Sequence, residues 1–140
     1  MEDSQATPRG IKNNNPLNLR RSDNAWLGKI EPGTDKHFEQ FVSMIYGIRA
    51  AMINMRTIIR RNNNNCTLAK LITTWAPPSD GNKTDDYIKF VARHSGVLPT
   101  EKLNFKNKEQ IVNVTYAMSI MECGVKLYKT SFESAYEMLR

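Results

Sequence analysis

Apolar residues recur at helical spacing through the middle and end of the chain and alternate with polar ones only near its start. After Ser43, the residues Ile45, Ile48, Met52, Met55 and Ile59 return at intervals of three and four, which predicts an amphipathic helix that Ser43 can cap. That helix should stop at Arg60-Arg61, where cations suit the negative end of the helix dipole and the Asn62 to Asn65 run breaks the pattern. Thr67 opens a short helix through Trp75, ended by Pro77-Pro78, whose rings cannot continue it. Thr84, with Asp85 and Asp86 in the first turn, starts another that carries Tyr87, Ile88 and Val91 to a stop at Gly96. Asn107 can cap a run from Lys108 to Cys123, with Gly124 as its stop. Thr130 and Glu133 form a capping box for a last helix ending at Arg140.

Before Ser43 the period changes. The first eight residues are polar and read as a flexible tail. Asn13-Asn14-Asn15-Pro16 is a turn cluster, because Asn side chains bond nearby backbone and tolerate left-handed geometry while Pro fixes φ. Leu17 and Leu19 then alternate with polar neighbours, Trp26 to Ile30 reads as a strand, Glu31 to Asp35 as a turn, and His37 to Phe41 as a returning strand. The expected fold is α+β and mostly helical. Residues 9–140 form a single domain, with a small β-lobe at about 17–41 and a helical lobe at about 43–140.

Length and charge narrow the classes. The 140 residues suit one core, and 40% hydrophobic with 24% charged residues argue against wholesale disorder. No apolar run approaches the roughly 20 residues of a membrane span, and the opening Met-Glu-Asp-Ser-Gln is unlike a secretory signal, so synthesis in the cytoplasm is expected. A net charge of +6 implies an anionic partner. Basic residues are dispersed, with pairs only at Arg20-Arg21 and Arg60-Arg61, which argues against nucleic acid and for a solvated surface. Cys66 and Cys123 are isolated and expected as free thiols, while His37 and His94 lack ligand-spaced neighbours. No metal and no cofactor are expected, since no phosphate loop is present either.

The run from Lys108 to Cys123 is the informative one. Ile111, Val114, Met118 and Met121 form one apolar stripe, and Val112, Tyr116 and Ile120 make the opposite side apolar, so the helix should be central and buried nearly all round. Thr115, Ser119 and Glu122 share one face. Glu122 sits at the negative end of the helix and borders the apolar stripe, and both effects disfavour its ionised form. A carboxyl kept protonated at neutral pH can serve as a general acid; the same position also suits a terminal-turn Glu that reaches solvent. Glu31 and Asp35 flank the Pro32-Gly33-Thr34 turn, where a second carboxylate could be aimed at a ligand, although Asp35 is also an ordinary turn residue. Glu39 alternates with Phe38 and Phe41 and is expected to face water. Trp26, Trp75 and Tyr87, with the amides of Asn13, Asn14, Asn15 and Asn18 and the hydroxyls of Thr84 and Ser119, are types that stack on or bond to sugars.

The string from Arg9 to Arg20, Arg-Gly-Ile-Lys-Asn-Asn-Asn-Pro-Leu-Asn-Leu-Arg, resembles the opening of a family of small phage and prophage proteins often described as virion structural proteins. The resemblance continues through Trp26-x-Gly28, Asp35-x-x-Phe38-x-x-Phe41, Tyr46 to Ala50, Trp75 to Pro78 and Thr84-x-x-Tyr87-Ile88, ending near Met118-Ser119-x-x-Glu122-x-Gly124. Leu17 stands where that family usually has Gly. A fainter similarity is to the lysozyme-like glucosaminidases of bacterial walls, in the order of an Asn strand, Trp-x-Gly, an aromatic lobe strand and a Thr-Asp-x-x-Tyr helix start. That superfamily carries its catalytic Glu on a helix before the Asn strand, and here only twelve residues precede Asn13. Glu122-Cys123-Gly124 is similar to the missing Glu-x-Gly moved to the C-terminus, which would make the fold lysozyme-like and circularly permuted.

Together these readings imply a phage-encoded or prophage-encoded protein that cleaves the glycan of peptidoglycan by general acid catalysis, as a hydrolase or a lytic transglycosylase. Glu122 would be the acid, with Asp35 and Glu31 assisting. Its partners would be the wall and other virion proteins, and without a signal it would travel with the virion or be delivered to the wall. The competing expectation is a non-enzymatic virion component that keeps only the scaffold.

Overall fold

A computed structural model describes residues 7–140. The chain is mostly helical: α1 (Arg9–Lys12), α2 (Met44–Arg61), α3 (Leu68–Trp75), α4 (Thr84–Ser95), α5 (Lys108–Cys123) and α6 (Lys129–Glu137), with a 3-10 turn at Pro78–Asp80. The bounds of α2, α3 and α5 follow the signals that predict them. Thr67 accepts from the Lys70 amide and Asn107 from the Gln110 amide, and α4 and α5 end at Gly96 and Gly124 in left-handed conformation. Ser43 occupies the N-cap of α2 in extended conformation without a side-chain bond. Two start signals resolve differently. Thr84 is the first residue inside α4, and its hydroxyl bonds the Ala76 carbonyl at 2.6 Å, tying α4 to the end of α3. The Thr130–Glu133 box does not form, because α6 already begins at Lys129.

Helix α5 is central. It packs against α1, α2, α4 and α6, most extensively against α4, while α2 leans mainly on α6. Ile111, Val114, Ala117 and Met118 are buried on it together with Val112 on the other side, so its apolar character on both faces is matched by neighbours on both faces. The stripe Ile48, Met52, Met55 and Ile59 of α2 enters the same core. The buried hydroxyl of Thr115 folds back onto the Ile111 carbonyl at 2.7 Å, satisfying a polar group that would otherwise be costly there.

The expected β-lobe is a bridged loop. Among the described residues it holds only two isolated antiparallel bridges, Arg20 with Phe38 and Lys29 with Phe41, and no continuous ladder. Side chains reinforce the few backbone bonds that cross the loop, such as the Glu39 amide to the Leu19 carbonyl at 3.0 Å and the Arg21 amide to the His37 carbonyl at 2.9 Å. Asn15, fully buried, donates to the Leu19 and Glu39 carbonyls at 3.0 and 2.9 Å and accepts from the Leu19 amide at 2.9 Å, so one amide performs the work of a ladder rung. Asn14 donates to the Phe41 carbonyl at 3.0 Å. Both Asn14 and Asn18 take left-handed backbone, with φ of 52° and 54°, a conformation Asn accepts more readily than most residues.

Glu39 corrects the expectation that it faces water. Its side chain is only 2% exposed, with Lys29 Nζ at 3.2 Å and the Ser22 amide and hydroxyl donating at 3.2 and 3.1 Å. Alternation fails here because without a regular strand the period of two has no sheet face to refer to. Glu39→Gln should therefore destabilise the fold by about 1–3 kcal/mol, the range for a lost hydrogen bond to a charged group, moderated because Lys29 keeps the Ser22 carbonyl at 2.8 Å. Urea unfolding would measure it. A midpoint unchanged from wild type would show the pair to be idle.

Candidate functional site

Two close approaches fix where the Asn turn lies. A Cβ on Gly47 of α2 would sit 1.9 Å from the Asn14 carbonyl oxygen, so the turn rests directly on the α2 backbone. A Cβ on Gly10 of α1 would lie 3.0 Å from the Asn15 carbonyl and 3.5 Å from Cys123 Cβ, which brings α1 against the end of α5. Helix α1 is thereby held beside the last turn of the central helix.

Asn18 and Glu122 meet at this junction. Asn18 Nδ2 donates to Glu122 Oε1 at 3.2 Å, and the buried Tyr87 hydroxyl of α4 donates to Oε2 at 2.9 Å. Glu122 is half-buried, and desolvation raises its pKa above the ordinary carboxylate value against the opposing pull of its two donors. Its place in the last turn of α5 adds the negative end of the helix dipole in the same direction. Burial, and next the neighbouring carboxylate, push the Tyr87 phenol well above its usual range. Tyr87 thus remains a donor wherever Glu122 titrates. The arrangement is a carboxyl with a raised pKa, aimed by two fixed donors.

An open groove of about 350 Å³ has Asn18, Arg20, Asn54, Thr57, Arg61 and Trp75 in its wall, whereas Glu122 and Tyr87 do not line it. Asn18 belongs to both the groove and the carboxyl. Trp75 is half-buried at the end of α3 and offers an aromatic surface among amides and guanidinium groups, a mixture suited to a polyhydroxylated ligand.

The remaining residues singled out in the sequence divide between scaffold and a second cluster. Asp35 is held by Arg9 through two bonds of 2.7 Å and by Asn13 Nδ2 at 2.9 Å, and it accepts from the His37 and Phe38 amides at 2.8 and 3.0 Å. Arg9, then Asn13, hold its carboxyl well below the usual range. Gln40 links Asn13 to Thr34 at 3.0 Å on each side. This cluster braces the Glu31–Asp35 turn against α1 and makes no hydrogen bond to Glu122. Glu31 is 61% exposed, with Lys29 at 3.3 Å. Asn14, Asn15 and Thr84 spend their polar groups on backbone, as described for the fold. Ser119 is buried and donates to the Tyr116 carbonyl at 2.7 Å. Trp26 is partly buried and packs against the core.

The groove residues Arg20, Asn54, Thr57 and Arg61 were not among those the sequence pointed to. Asn54 and Thr57 are spaced i, i+3 on the polar side of α2, a weak signal shared by any solvated helix face. Among the described residues no group of three or more metal-ligating side chains occurs, and no helix is long and apolar enough to cross a membrane. Cys66 and Cys123 are buried free thiols.

The Asp35 cluster has a definite pH signature. Its folded pKa lies below the unfolded value of about 3.9, so its stabilisation is present above that value and is lost as pH falls below it. Asp35→Asn should accordingly melt below wild type at pH 7, and the gap should narrow toward pH 3. Thermal melts at the two pH values test this, and a gap independent of pH would remove the ion pair from the account.

No protein-family profile matches the chain. Protein P5 of Pseudoalteromonas phage PM2 is 34% identical over 123 residues, covering 86% of this chain and 74% of that protein. Identity at this level over most of both chains makes the protein a member of the family of phage PM2 protein P5.

Proposed function

We propose that the protein is a phage-borne, lysozyme-like enzyme that cleaves the glycan of peptidoglycan, with Glu122 as general acid. The observation that carries this reading is the Glu122 carboxyl itself, kept toward its protonated form by burial, held by Tyr87 and Asn18, and joined through Asn18 to a groove lined by Trp75 and amides. Contact between residues 104 positions apart supports a circularly permuted arrangement, in which the Glu-bearing helix follows the Asn turn in sequence yet adjoins it in space. Membership in a phage protein family supports delivery with the virion.

Glu122 would donate its proton to the glycosidic oxygen as the bond to C1 breaks, leaving positive charge on the sugar ring. Among the described residues the side chains that hydrogen-bond to its carboxyl are Tyr87 and Asn18, and neither is a second carboxylate. The route needing fewest groups is then intramolecular. The Glu122 carboxylate takes a proton from a hydroxyl of the same sugar as that oxygen closes on C1, which restores the acid and yields an anhydro-sugar end. Asp35 and Glu31 would support the lobe rather than the reacting atoms.

Turbidity loss of a purified wall suspension, followed by mass analysis of the released ends, tests the reading. Anhydro ends support the single-carboxyl route, and reducing ends would replace it with water attack. The occupation of both Glu122 oxygens by internal donors favours a second reading, a virion component that binds glycan without cutting it. Sedimentation with the wall without release of fragments from any wall type would establish that alternative.

A further inference from the structure

A second concave site lies on the other side of α2. At 100° per residue, the groove residues Asn54, Thr57, Ile58 and Arg61 and the residues Arg56, Ile59 and Arg60 point to helix directions roughly 160° apart. The latter three border a cavity of about 480 Å³, closed by the loop before α5 and by the end of α6. Lys106 and Asn104 come from that loop, Asn64 from the turn after α2, and Tyr136 from α6.

Its charge is one-sided. Among the described residues, Arg56, Arg60 and Lys106 form none of the ion pairs present, whereas Arg140 at the rim is held by Glu137, which also takes Lys108 at 2.6 Å. Arg56 is braced over the Phe105 ring at 5.4 Å, and the Phe105 carbonyl is fixed by the Tyr136 hydroxyl at 2.7 Å. Burial, then the like charges of Arg60 and Arg49, lower the Arg56 pKa. Arg49 lies two turns earlier on the same stripe, with its buried Nε lacking a hydrogen-bond partner among the described residues. Cations gathered at one concavity repel unless an anion joins them.

We propose that this cavity binds a discrete phosphate group, held by Arg56, Arg60 and Lys106 with the amides of Asn64 and Asn104 beside it. Planar guanidinium forks match the several acceptor oxygens of a phosphate. Confinement of the cations to one bounded hollow fits a terminal or small phosphate rather than a long strand, which would need a stripe of contacts.

Calorimetric titration of the whole chain with sodium pyrophosphate tests the site. Arg60 and Lys106 are exposed, so Arg60→Gln/Lys106→Gln should fold as wild type does, and a thermal melt verifies it. The double variant should bind pyrophosphate at least roughly tenfold more weakly. Lys89→Gln/Arg93→Gln removes the same charge from exposed positions of α4 and should stay within about twofold of wild type, as expected for distant screened charges. Phosphatidylglycerol vesicles serve as a second arm: selective loss of vesicle binding in the first variant identifies a lipid headgroup as the source, and vesicle binding equal in both variants identifies a free phosphate. Absence of pyrophosphate binding up to about 10 mM, equal weakening in both variants, or binding of duplex DNA more tightly than pyrophosphate would overturn the proposal.

Discussion

Glu122→Gln should lower wall lysis by roughly 10²–10⁴-fold, the usual loss on removing a general acid. The substitution preserves shape, and its one carbonyl oxygen can still accept from Asn18 while its amide N–H turns to the Tyr87 oxygen, but an amide has no proton to give the glycosidic oxygen. Stability should move the other way. A Glu whose folded pKa is raised contributes stability below its unfolded pKa and loses it as pH rises through the folded value. At neutral pH the wild type therefore carries an ionisation penalty that Gln lacks, and the variant should melt at the same temperature or higher. On the proposed general-acid route, activity should decline as pH rises through the Glu122 pKa, because only the protonated carboxyl has a proton to donate. The pairing of lost lysis with retained melting separates a catalytic role from a structural one. Equal lysis by the two proteins would take Glu122 out of the mechanism.

Gly47→Ala should be among the most damaging single-methyl additions to this chain. Helix propensity alone predicts a gain of about 1 kcal/mol for Ala over Gly within α2. Sterics decide against it, because the new Cβ would lie 1.9 Å from a backbone oxygen and 3.2 Å from Asn15 Cα, atoms that no side-chain rotation can move aside. Overpacking of this kind costs about 3 kcal/mol or more at the upper end of its range, outweighing propensity. The melting temperature should fall by roughly 10 °C for a domain of this size. Glycan cleavage should fall further than unfolding explains, since the turn that shifts also carries Asn18. A variant as stable as wild type would contradict the seating of the Asn turn on α2.

Helices were legible where one local rule governed them. The stripe of α2, the caps at Thr67 and Asn107 and the stops at Gly96 and Gly124 each depend on residues within a turn or two, and all appear where the pattern placed them. The segment from Leu17 to Phe41 was less legible because it is organised by side chains reaching across the loop. No period reveals that Asn15 reinforces the few backbone bonds across the loop, or that Glu39 turns inward to meet Lys29. For the candidate site, the sequence indicated both Glu122 and Asn18 and the neighbourhood they share. It did not show that Asp35 would be bound by Arg9, since that pairing rests on α1, a single turn of helix too short for any periodic signal.

The Asn18–Glu122 contact also bears on when the site comes into being. Its partners are separated by 104 positions, and one lies near the beginning of the chain while the other closes its fifth helix. During synthesis at about 5–20 residues per second, the Asn turn would wait several seconds before the helix carrying the carboxyl emerged to meet it. The order of the chain therefore gives this contact a history that the finished geometry does not record. The Asn18–Glu122 contact is among the later ones that synthesis from the N-terminus allows to form, a closure between distant stretches of the core.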